Sequence, residues 1–260
     1  AGKGVEMLKA HGIEVVTGVL EEECRAINQV FFHYMDNKTP YVVMKYAMTA
    51  DGKIATVTGA SKWITGEASR ERVQRSRHKY MGIMVGLGTV LADNPSLTCR
   101  MEGGRNPIRI ICDTRLRTPL DSQVVQTAKN VRTIIATCVT EKGQIRAFED
   151  MGCQVVVTGE YEGHVDLREL MRILGGRGID SILLEGGGSL NASALSQGIV
   201  QKVESYIAPK LFGGALAKSP VAGDGVSEPD LAYLLKNPII SRIEEDILVE
   251  WEVADCSQES

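Results

Sequence analysis

The 260-residue sequence lacks the features that mark several classes of protein. It has no apolar run near the roughly 20 residues of a membrane span, no block of five like charges and a net charge of only −4. Neither a membrane nor a nucleic acid is therefore expected as a partner. The four histidines form neither an H-E-x-x-H motif nor a Cys/His cluster, so no metal site is predicted.

The cysteines are scattered and form no recognisable motif. No C-x-x-C pair occurs and no signal peptide opens the chain, which indicates reduced thiols in a cytoplasmic protein. The six positions are Cys24, Cys99, Cys112, Cys138, Cys153 and Cys256.

Aromatic side chains are scarce, while glycine is abundant. Four Phe and two Trp beside 27 glycines predict an aliphatic core with many tight turns, as in repeated strand-loop-helix units. A hydrophobic content of 43% over 260 residues is enough for one large α/β domain, or for one domain and a piece of another.

The first 40 residues do not form a self-sufficient unit. Their pattern predicts a helix over 3–11, a short strand over 13–18, a second helix over 20–35 and a linker over 35–40. Two helices and one strand cannot bury their own faces. Because the sequence also begins at Ala1 rather than at Met, we expect it to have been cut from a longer polypeptide.

From Pro40 onward, apolar β-branched segments alternate with helical patterns. This alternation predicts a mainly parallel central sheet flanked by helices, and the segment 241–255 predicts a C-terminal antiparallel hairpin with only acidic residues at its turn. The exposed edge of such a hairpin predicts a homo-oligomer. The predicted strands are 41–48, 80–86, 108–112, 131–138, 153–157, 181–185 and 203–208, and the helices between them are 66–80, 141–151, 166–178 and 189–198.

A glycine triplet follows the strand 181–185 and leads into a helix. Ligands of open α/β sheets bind beyond the carboxyl ends of strands, where free N–H groups at a helix start attract anions. Gly186, Gly187 and Gly188 therefore predict a phosphate-bearing ligand, with positive φ angles available to the glycines. The alternative is that these glycines only turn the chain, and the G-x-G-x-x-G fingerprint is not met because Asn191 holds its last position.

A second loop of the same kind contains Gly86 and Gly88. Thr89 is predicted to cap the following helix, with Asp93 one turn further on; the alternative makes Thr89 a plain cap and Asp93 part of an Asp-Asn-Pro turn. Two such loops in one sheet suggest a two-part or dinucleotide ligand.

Arginines lie near these loops. Arg77 and Arg100 are candidates for a phosphate clamp, because the guanidinium fork matches phosphate oxygens. Arg115 and Arg117, just beyond another predicted strand, are candidates to hold the 2′-phosphate of NADP.

Four long motifs are more specific than any single loop. The segments 45–65, 86–100, 184–195 and 203–214 together resemble, in order, the reductase half of the bifunctional riboflavin-biosynthesis deaminase/reductase, whose fold is dihydrofolate-reductase-like. The resemblance covers residues 40 to about 254, and residues 1–37 resemble the end of the same family's zinc deaminase domain. The deaminase signature, H-x-E with P-C-x-x-C, is absent. The resemblance therefore places zinc and deaminase activity outside this sequence and a reductase domain over 40–256.

The resemblance implies NADPH-dependent reduction of the ribosyl group of 5-amino-6-(5-phosphoribosylamino)uracil to the ribitylamino product. The same activity on another pterin or pyrimidine, and a nucleotide-binding module without catalysis, remain the alternatives. The residues implied to contact the substrate are Lys45, Ser61, Arg77, Leu97, Arg100 and Glu185. The residues implied to line the cofactor are Ala47, Trp63, Thr89, Asp93, Thr114, Gly187, Gly188, Ser189, Leu190, Asn191, Ala192 and Ser193.

Several of these residues have specific expected roles. Lys45 would donate to a pyrimidine carbonyl and disfavour an amino group, or else extend its ammonium to water. Either Lys45 or Asp93 would assist proton transfer. Glu185 would accept hydrogen bonds from sugar hydroxyls, or else pair with a lysine. Trp63 would cover the nicotinamide, or else belong to the core.

Overall fold

The computed structural model describes residues 2–254, so Cys256 and the predicted domain end at residue 256 lie outside the described residues. The helices of residues 2–254 are α1 (Lys3–Ala10), α2 (Glu21–Ile27), α3 (Gln29–Asn37), α4 (Glu67–Lys79), α5 (Leu87–Asp93), α6 (Gln123–Gln126), α7 (Lys142–Asp150), α8 (Leu167–Gly176) and α9 (Gly188–Ser196). The strands are β1 (Tyr41–Thr49), β2 (Gly82–Gly86), β3 (Ile108–Cys112), β4 (Thr133–Thr137), β5 (Gln154–Val157), β6 (Glu160–Tyr161), β7 (His164–Val165), β8 (Ser181–Leu184), β9 (Lys202–Ala208), β10 (Leu235–Ile243) and β11 (Asp246–Val253).

Nine strands form one sheet in the order β10-β11-β9-β1-β8-β2-β3-β4-β5. All neighbours from β9 to β5 are parallel, because helices return the chain between them, whereas β11 joins β9 antiparallel. The hairpin β10–β11 turns at Glu244 and Glu245, as the acidic turn predicts. The predicted α/β class, mainly parallel sheet and C-terminal hairpin are confirmed.

The sheet is apolar on both faces, as expected for parallel strands covered by helices. Along β1, Val42 and Met44 pack into the cluster with α8 and α9, while Tyr41 and Val43 face the other side with Tyr80. Since side chains alternate along a strand, Lys45 lies on the Tyr41 and Val43 side, which α4 covers. This alternation decides which side of the sheet carries the charged residues described below.

The N-terminal region differs from its prediction. Residues 13–18 form no strand within the described chain, because no neighbouring strand pairs with them, and the second predicted helix is divided into α2 and α3 at Asn28. None of the residues of α1, α2 or α3 is buried. Contact with the sheet domain comes from α3, where the Tyr34 hydroxyl donates to the Gly175 carbonyl at 2.9 Å.

Candidate active site

The carboxyl ends of β1, β8 and β2 meet at one edge of the sheet. Met44 is paired with Leu184, which is also paired with Met84, so the residues that follow each strand come together. Lys45 lies beside Glu185 on this edge, on the face covered by α4. Lys45 and Glu185 therefore belong to one end of the sheet.

Arg77 of α4 and Glu185 form a nearly buried ion pair at this edge. Arg77 Nε and Nη2 donate to the two Glu185 carboxylate oxygens at 2.8 and 3.0 Å, and Arg77 Nη1 donates to the Thr98 carbonyl at 3.1 Å. Burial alone would raise the pKa of the Glu185 carboxyl, but the charges of Arg77 and Lys45 bring it down to about 2. Glu185 is therefore a fixed acceptor of hydrogen bonds.

This pairing corrects one expectation, because the partner of Glu185 is an arginine instead of a lysine. Arg77 is bonded to Glu185 and Thr98 but keeps further N–H groups, so its clamp with Arg100 stays a prediction. The Arg100 side chain is exposed and has no hydrogen-bond or ion-pair partner within residues 2–254. Of the two guanidinium groups, that of Arg100 is the more exposed.

Lys45 lies between two acids on the neighbouring strands. It is in register with Glu204 of β9 on one side and beside Glu185 on the other, and its Nζ lies 5.5 Å from the centroid of the Tyr206 ring. Burial lowers the pKa of the Lys45 ammonium, and the Arg77 charge adds to this effect while Glu185 opposes it. Within residues 2–254 the ammonium has no hydrogen-bond partner, so its donors are available to a ligand.

The loop after α5 carries Leu97 in the left-handed region, with φ 51° and only 3% exposed. Arginines hold the carbonyls on both sides of it: Arg77 bonds Thr98, and Arg109 Nη1 donates to the Ser96 carbonyl at 3.2 Å. Burial lowers the pKa of the fully buried Arg109 to about 10. Sequence reasoning missed Arg109, although a lone arginine inside the apolar strand 108–112 was a signal for a buried polar contact.

The glycine triplet is closely packed at Gly188 and has space beside Gly187. Gly186, Gly187 and Gly188 all lack positive φ angles, so the predicted use of that conformation is wrong. A Cβ on Gly188 would lie 2.7 Å from the Ser219 carbonyl oxygen, whereas one on Gly187 would meet only Thr89 Oγ1 at 3.8 Å. The absence of a Cβ at Gly188 thus allows the segment 219–222 to pack against it, and Gly187 faces the second glycine loop.

The N-terminus of α9 is open. No side chain caps it, and the N–H groups of Gly188, Ser189 and Leu190 have no backbone or side-chain acceptor within the described chain. Such a helix start attracts an anion. Asn191, by contrast, is fully buried and donates from Nδ2 to the Pro220 carbonyl at 2.8 Å, so its side chain supports the loop from behind. Ala192 and Ser193 follow on the next turn and are half-buried.

The second loop runs directly into α5. Gly86 is its N-terminal flanking residue and no side chain caps the helix, so Thr89 lies inside the helix and the predicted cap is wrong. Asp93 ends α5, and its carboxylate lies 3.6 Å from the Lys62 ammonium. The pair links α5 to the segment that carries Ser61 and Trp63.

Trp63 projects at the rim of this edge and is 59% exposed, so the alternative that it belongs to the core is wrong. Ala47, further along β1, is half-buried against Val73 and Tyr206. Thr114 follows β3, where its carbonyl accepts from the Cys138 N–H at 3.1 Å. Arg115 is exposed and lies 3.7 Å from Glu160.

A family model described as the RibD C-terminal domain matches residues 40–249. The chain belongs to this family. The RibD protein of Actinobacillus pleuropneumoniae is 55% identical over 97% of the chain and 67% of its own length, and that of Bacillus amyloliquefaciens is 39% identical over 90% of the chain and 63% of its own length. The chain thus spans about two thirds of these RibD relatives.

Other relatives define the reductase part more closely. The 2,5-diamino-6-ribosylamino-4(3H)-pyrimidinone 5′-phosphate reductase of Methanothermobacter thermautotrophicus is 40% identical over 82% of the chain and 98% of its own length. The solved structure of Acinetobacter baumannii RibD superposes with a TM-score of 0.84 at 29% identity, over 98% of the chain and 69% of that protein. RibD membership and the predicted class, a reductase of riboflavin biosynthesis, are confirmed.

The described residues were also searched for a metal-binding cluster and for a membrane-spanning helix. Among residues 2–254, no group of three or more His, Cys, Asp or Glu side chains is arranged to hold a metal ion. No helix in the same range combines the length and apolar character of a bilayer span.

Proposed function

We propose that this RibD C-terminal domain uses NADPH to reduce the ribosyl group of 5-amino-6-(5-phosphoribosylamino)uracil to the ribitylamino product. The observation that carries the proposal is that two different groups suited to bind anions lie at one sheet edge. One has the free Arg100 beside the Arg77–Glu185 pair, and the other is the open N-terminus of α9. A solved Thermotoga maritima relative, 34% identical with a TM-score of 0.81, carries the name of this uracil reductase.

The substrate half has groups for a sugar phosphate. Glu185 is held ionised, and its oxygens keep lone pairs beyond those used by Arg77, so it can accept from sugar hydroxyls. Arg100 supplies the positive charge for the phosphate, while Ser61 and Leu97 flank the sugar and base. Removing the Arg100 guanidinium should weaken binding of the phosphorylated substrate by about 2 kcal/mol. An unchanged KM in an Arg100→Ala variant would refute this assignment.

Lys45 is proposed to read the pyrimidine. An ammonium without a protein partner can donate to a carbonyl oxygen but repels an amino group, which favours the deaminated uracil over the diaminopyrimidinone named for the archaeal relative. The two compounds, supplied separately with NADPH, test this choice. A Lys45→Met variant should lose the preference, and equal use of both compounds by the unmodified protein would contradict it.

The cofactor half uses backbone more than side chains. The free N–H groups at the start of α9 would hold the cofactor diphosphate, with Gly187 and Thr89 on opposite walls and Trp63 at the rim. Bound NADPH supplies the hydride. Thr114 and the exposed Arg115, which follow β3, would contact the adenosine part.

The protein's own contribution to the chemistry is alignment and a proton. The ring of the ribosylamine must open before reduction at C1′, and Glu185 and Arg100 would hold the opened sugar in one orientation. Lys45, whose lowered pKa eases release of a proton, is proposed as the proton carrier. Asp93 forms an ion pair with Lys62 at 3.6 Å and is proposed to orient the cofactor side instead.

The deciding experiment follows the nicotinamide absorbance after NADPH and the ribosylaminouracil are mixed with the protein. Consumption of NADPH with formation of the ribitylamino product supports the reductase. A binding module without catalysis would leave the absorbance constant, and turnover of unphosphorylated pterins alone would favour the alternative substrate class.

We also propose a homo-oligomer in the cytoplasm, formed through the sheet edge. The outer strand β10 is exposed along most of its length, with Ile239 and Ile240 at 60% and 71% exposure. A second copy pairing there would cover both. Sedimentation should show an oligomer that Ile240→Lys dissociates, and a monomer at working concentrations would contradict the proposal.

Residues 2–37 are proposed to be the end of a deaminase domain. They lie before the range matched by the RibD C-terminal model, none of their helix residues is buried, and they expose apolar side chains such as Val16 and Ile27 at 73% and 83%. Adding the preceding part of a full-length relative should protect these residues from proteolysis. Unchanged cleavage within 2–37 would contradict the assignment.

A further inference from the structure

Trp63 is a large, exposed aromatic side chain that charged residues contact at its ring and at its backbone. An indole with 59% of its surface in water would ordinarily sample several rotamers and backbone positions. Here charged groups from two other elements contact both its ring and its backbone. Neither of these groups is among the substrate or cofactor residues described above.

The first group is Lys210, which follows β9. Its ammonium donates to the Ile64 carbonyl at 2.7 Å and to the Trp63 carbonyl at 3.1 Å. The Lys210 backbone is itself anchored, since its carbonyl accepts from the Ala50 N–H at 2.8 Å just beyond β1. Lys210 therefore ties the Trp63 peptide to the end of the central strand.

The second group is Arg70 of α4. Its guanidinium carbon lies 4.7 Å from the centroid of the indole, and its Nη1 donates to the Thr65 carbonyl at 2.9 Å. Stacking of a guanidinium on an indole is attractive, and the second contact fixes the guanidinium relative to the same segment. Arg70 occupies one face of the ring, which leaves the remaining surface to a ligand.

We propose that Lys210 and Arg70 are positioning residues that hold Trp63 against the nicotinamide half of the cofactor. The proposal rests on the function proposed above, because it assumes that NADPH binds at this rim. Their role is to make the aromatic wall rigid before the cofactor arrives, so that binding does not have to order it. Loss of either group should weaken NADPH binding and alignment more than substrate binding.

The test uses tryptophan fluorescence with only one reporter. Trp63 and Trp251 are the two tryptophans of the chain, so a Trp251→Phe parent leaves Trp63 alone. In that parent, Lys210→Met should lower the fluorescence anisotropy of Trp63 and raise its quenching by acrylamide before NADPH is added. It should also raise the Kd of NADPH about tenfold, the equivalent of one charged hydrogen bond, with little change in the KM of the phosphorylated substrate.

Matched variants distinguish a role in positioning Trp63 from a general loss of protein stability. Lys210→Arg keeps an N–H donor and should recover most of the Trp63 signal, and Arg70→Met should change it in the same direction as Lys210→Met. Lys53→Met removes a lysine-to-carbonyl contact on the same rim, from Lys53 Nζ to the Ala217 oxygen at 3.5 Å, and should leave Trp63 unaffected.

Two results would overturn the proposal. One is a Trp63 signal and an NADPH affinity in both Lys210→Met and Arg70→Met equal to those of the parent. The other is a Lys53→Met effect as large as that of Lys210→Met. Failure of the proposed function looks different, since the parent itself would then neither bind nor consume NADPH while the Trp63 signal still responded to the substitutions.

Discussion

The two halves of the proposed site consist of different kinds of chemical groups. In the substrate half, side-chain charges meet inside the protein: Arg77 and Glu185 are 85% or more buried and share two hydrogen bonds. In the cofactor half, the prominent groups are main-chain N–H groups at the start of α9, and the adjacent glycines leave room for a ligand or for another loop. The strength of a charge pair depends on both partners and on pH, whereas the affinity of a helix terminus for an anion depends on the shape of the backbone.

The largest effect is expected when the charge pair is broken. Glu185→Gln keeps the shape but leaves the Arg77 guanidinium buried without a counter-charge, which should lower the free energy of unfolding by about 3 kcal/mol. Reductase activity should fall at least about a hundredfold, because the sugar acceptor is weakened as well. Urea unfolding and steady-state kinetics measure the two.

The matched control is the exposed pair of Arg115 and Glu160. Glu160→Gln should change the free energy of unfolding by less than about 0.5 kcal/mol. Equal stability losses in Glu160→Gln and Glu185→Gln would show that burial of the charge pair does not increase its contribution to the free energy of unfolding.

A fall in pH should lower the stability of the protein through the same Arg77–Glu185 ion pair. The pKa of the Glu185 carboxyl lies at about 2, below its ordinary value of 4.5, so its ionised form stabilises the fold above pH 4.5. That contribution, up to about 3 kcal/mol, is lost as the pH falls from 4.5 towards 2. The free energy of unfolding of Glu185→Gln should therefore decline less over this interval than that of the unmodified protein. Parallel curves would rule out Glu185 as the source.

In the cofactor half, two adjacent glycines should respond in opposite ways. Gly188→Ala places a Cβ 2.7 Å from the Ser219 carbonyl oxygen, so the free protein should lose about 1–2 kcal/mol of unfolding free energy. Gly187→Ala meets only Thr89 Oγ1 at 3.8 Å and should keep its stability, while NADPH binding weakens about tenfold. Thermal unfolding with and without NADPH distinguishes them. If Gly187→Ala binds NADPH normally, the diphosphate does not approach this glycine.

The smallest effect is expected at Arg115, where the cofactor half has a weakly held charge. Arg115→Ala should alter stability by less than about 0.5 kcal/mol, because its ion pair is exposed. Its preference for NADPH over NADH should fall several-fold if the guanidinium contacts the 2′-phosphate. An unchanged ratio of kcat/KM for the two cofactors would remove Arg115 from the site, and Arg117→Ala is the companion variant.

The sheet domain was predictable because each parallel strand is an apolar run that helices cover on both faces. The strands 41–48 and 108–112 are found within one residue of their predicted limits. A strand prediction was wrong where the segment has no strand to pair with. Residues 13–18 have strand-like composition but no neighbouring strand within residues 2–254. The hairpin β6–β7 was missed because two-residue strands carry no periodicity.

The contacts between the site residues were not predictable from the sequence. A glycine loop after a strand indicated the position of Gly187, whereas Lys45 and Glu185 were implied by the family resemblance. The partnership of Arg77 with Glu185 joins residues 108 positions apart, and no spacing rule reports such a contact. Lys210 escaped notice for the same reason, since its carbonyl acceptors are backbone atoms about 146 positions away.

The loop around Leu97 is held in place by contacts within the protein itself. Guanidinium groups from α4 and β3 hold the carbonyls of Thr98 and Ser96, on either side of a residue in the left-handed region. The conformational entropy of this segment is therefore lost during folding and not when a sugar phosphate arrives. Association should then be a single concentration-dependent step, as fast as diffusion and charge permit, with no slow isomerisation after encounter.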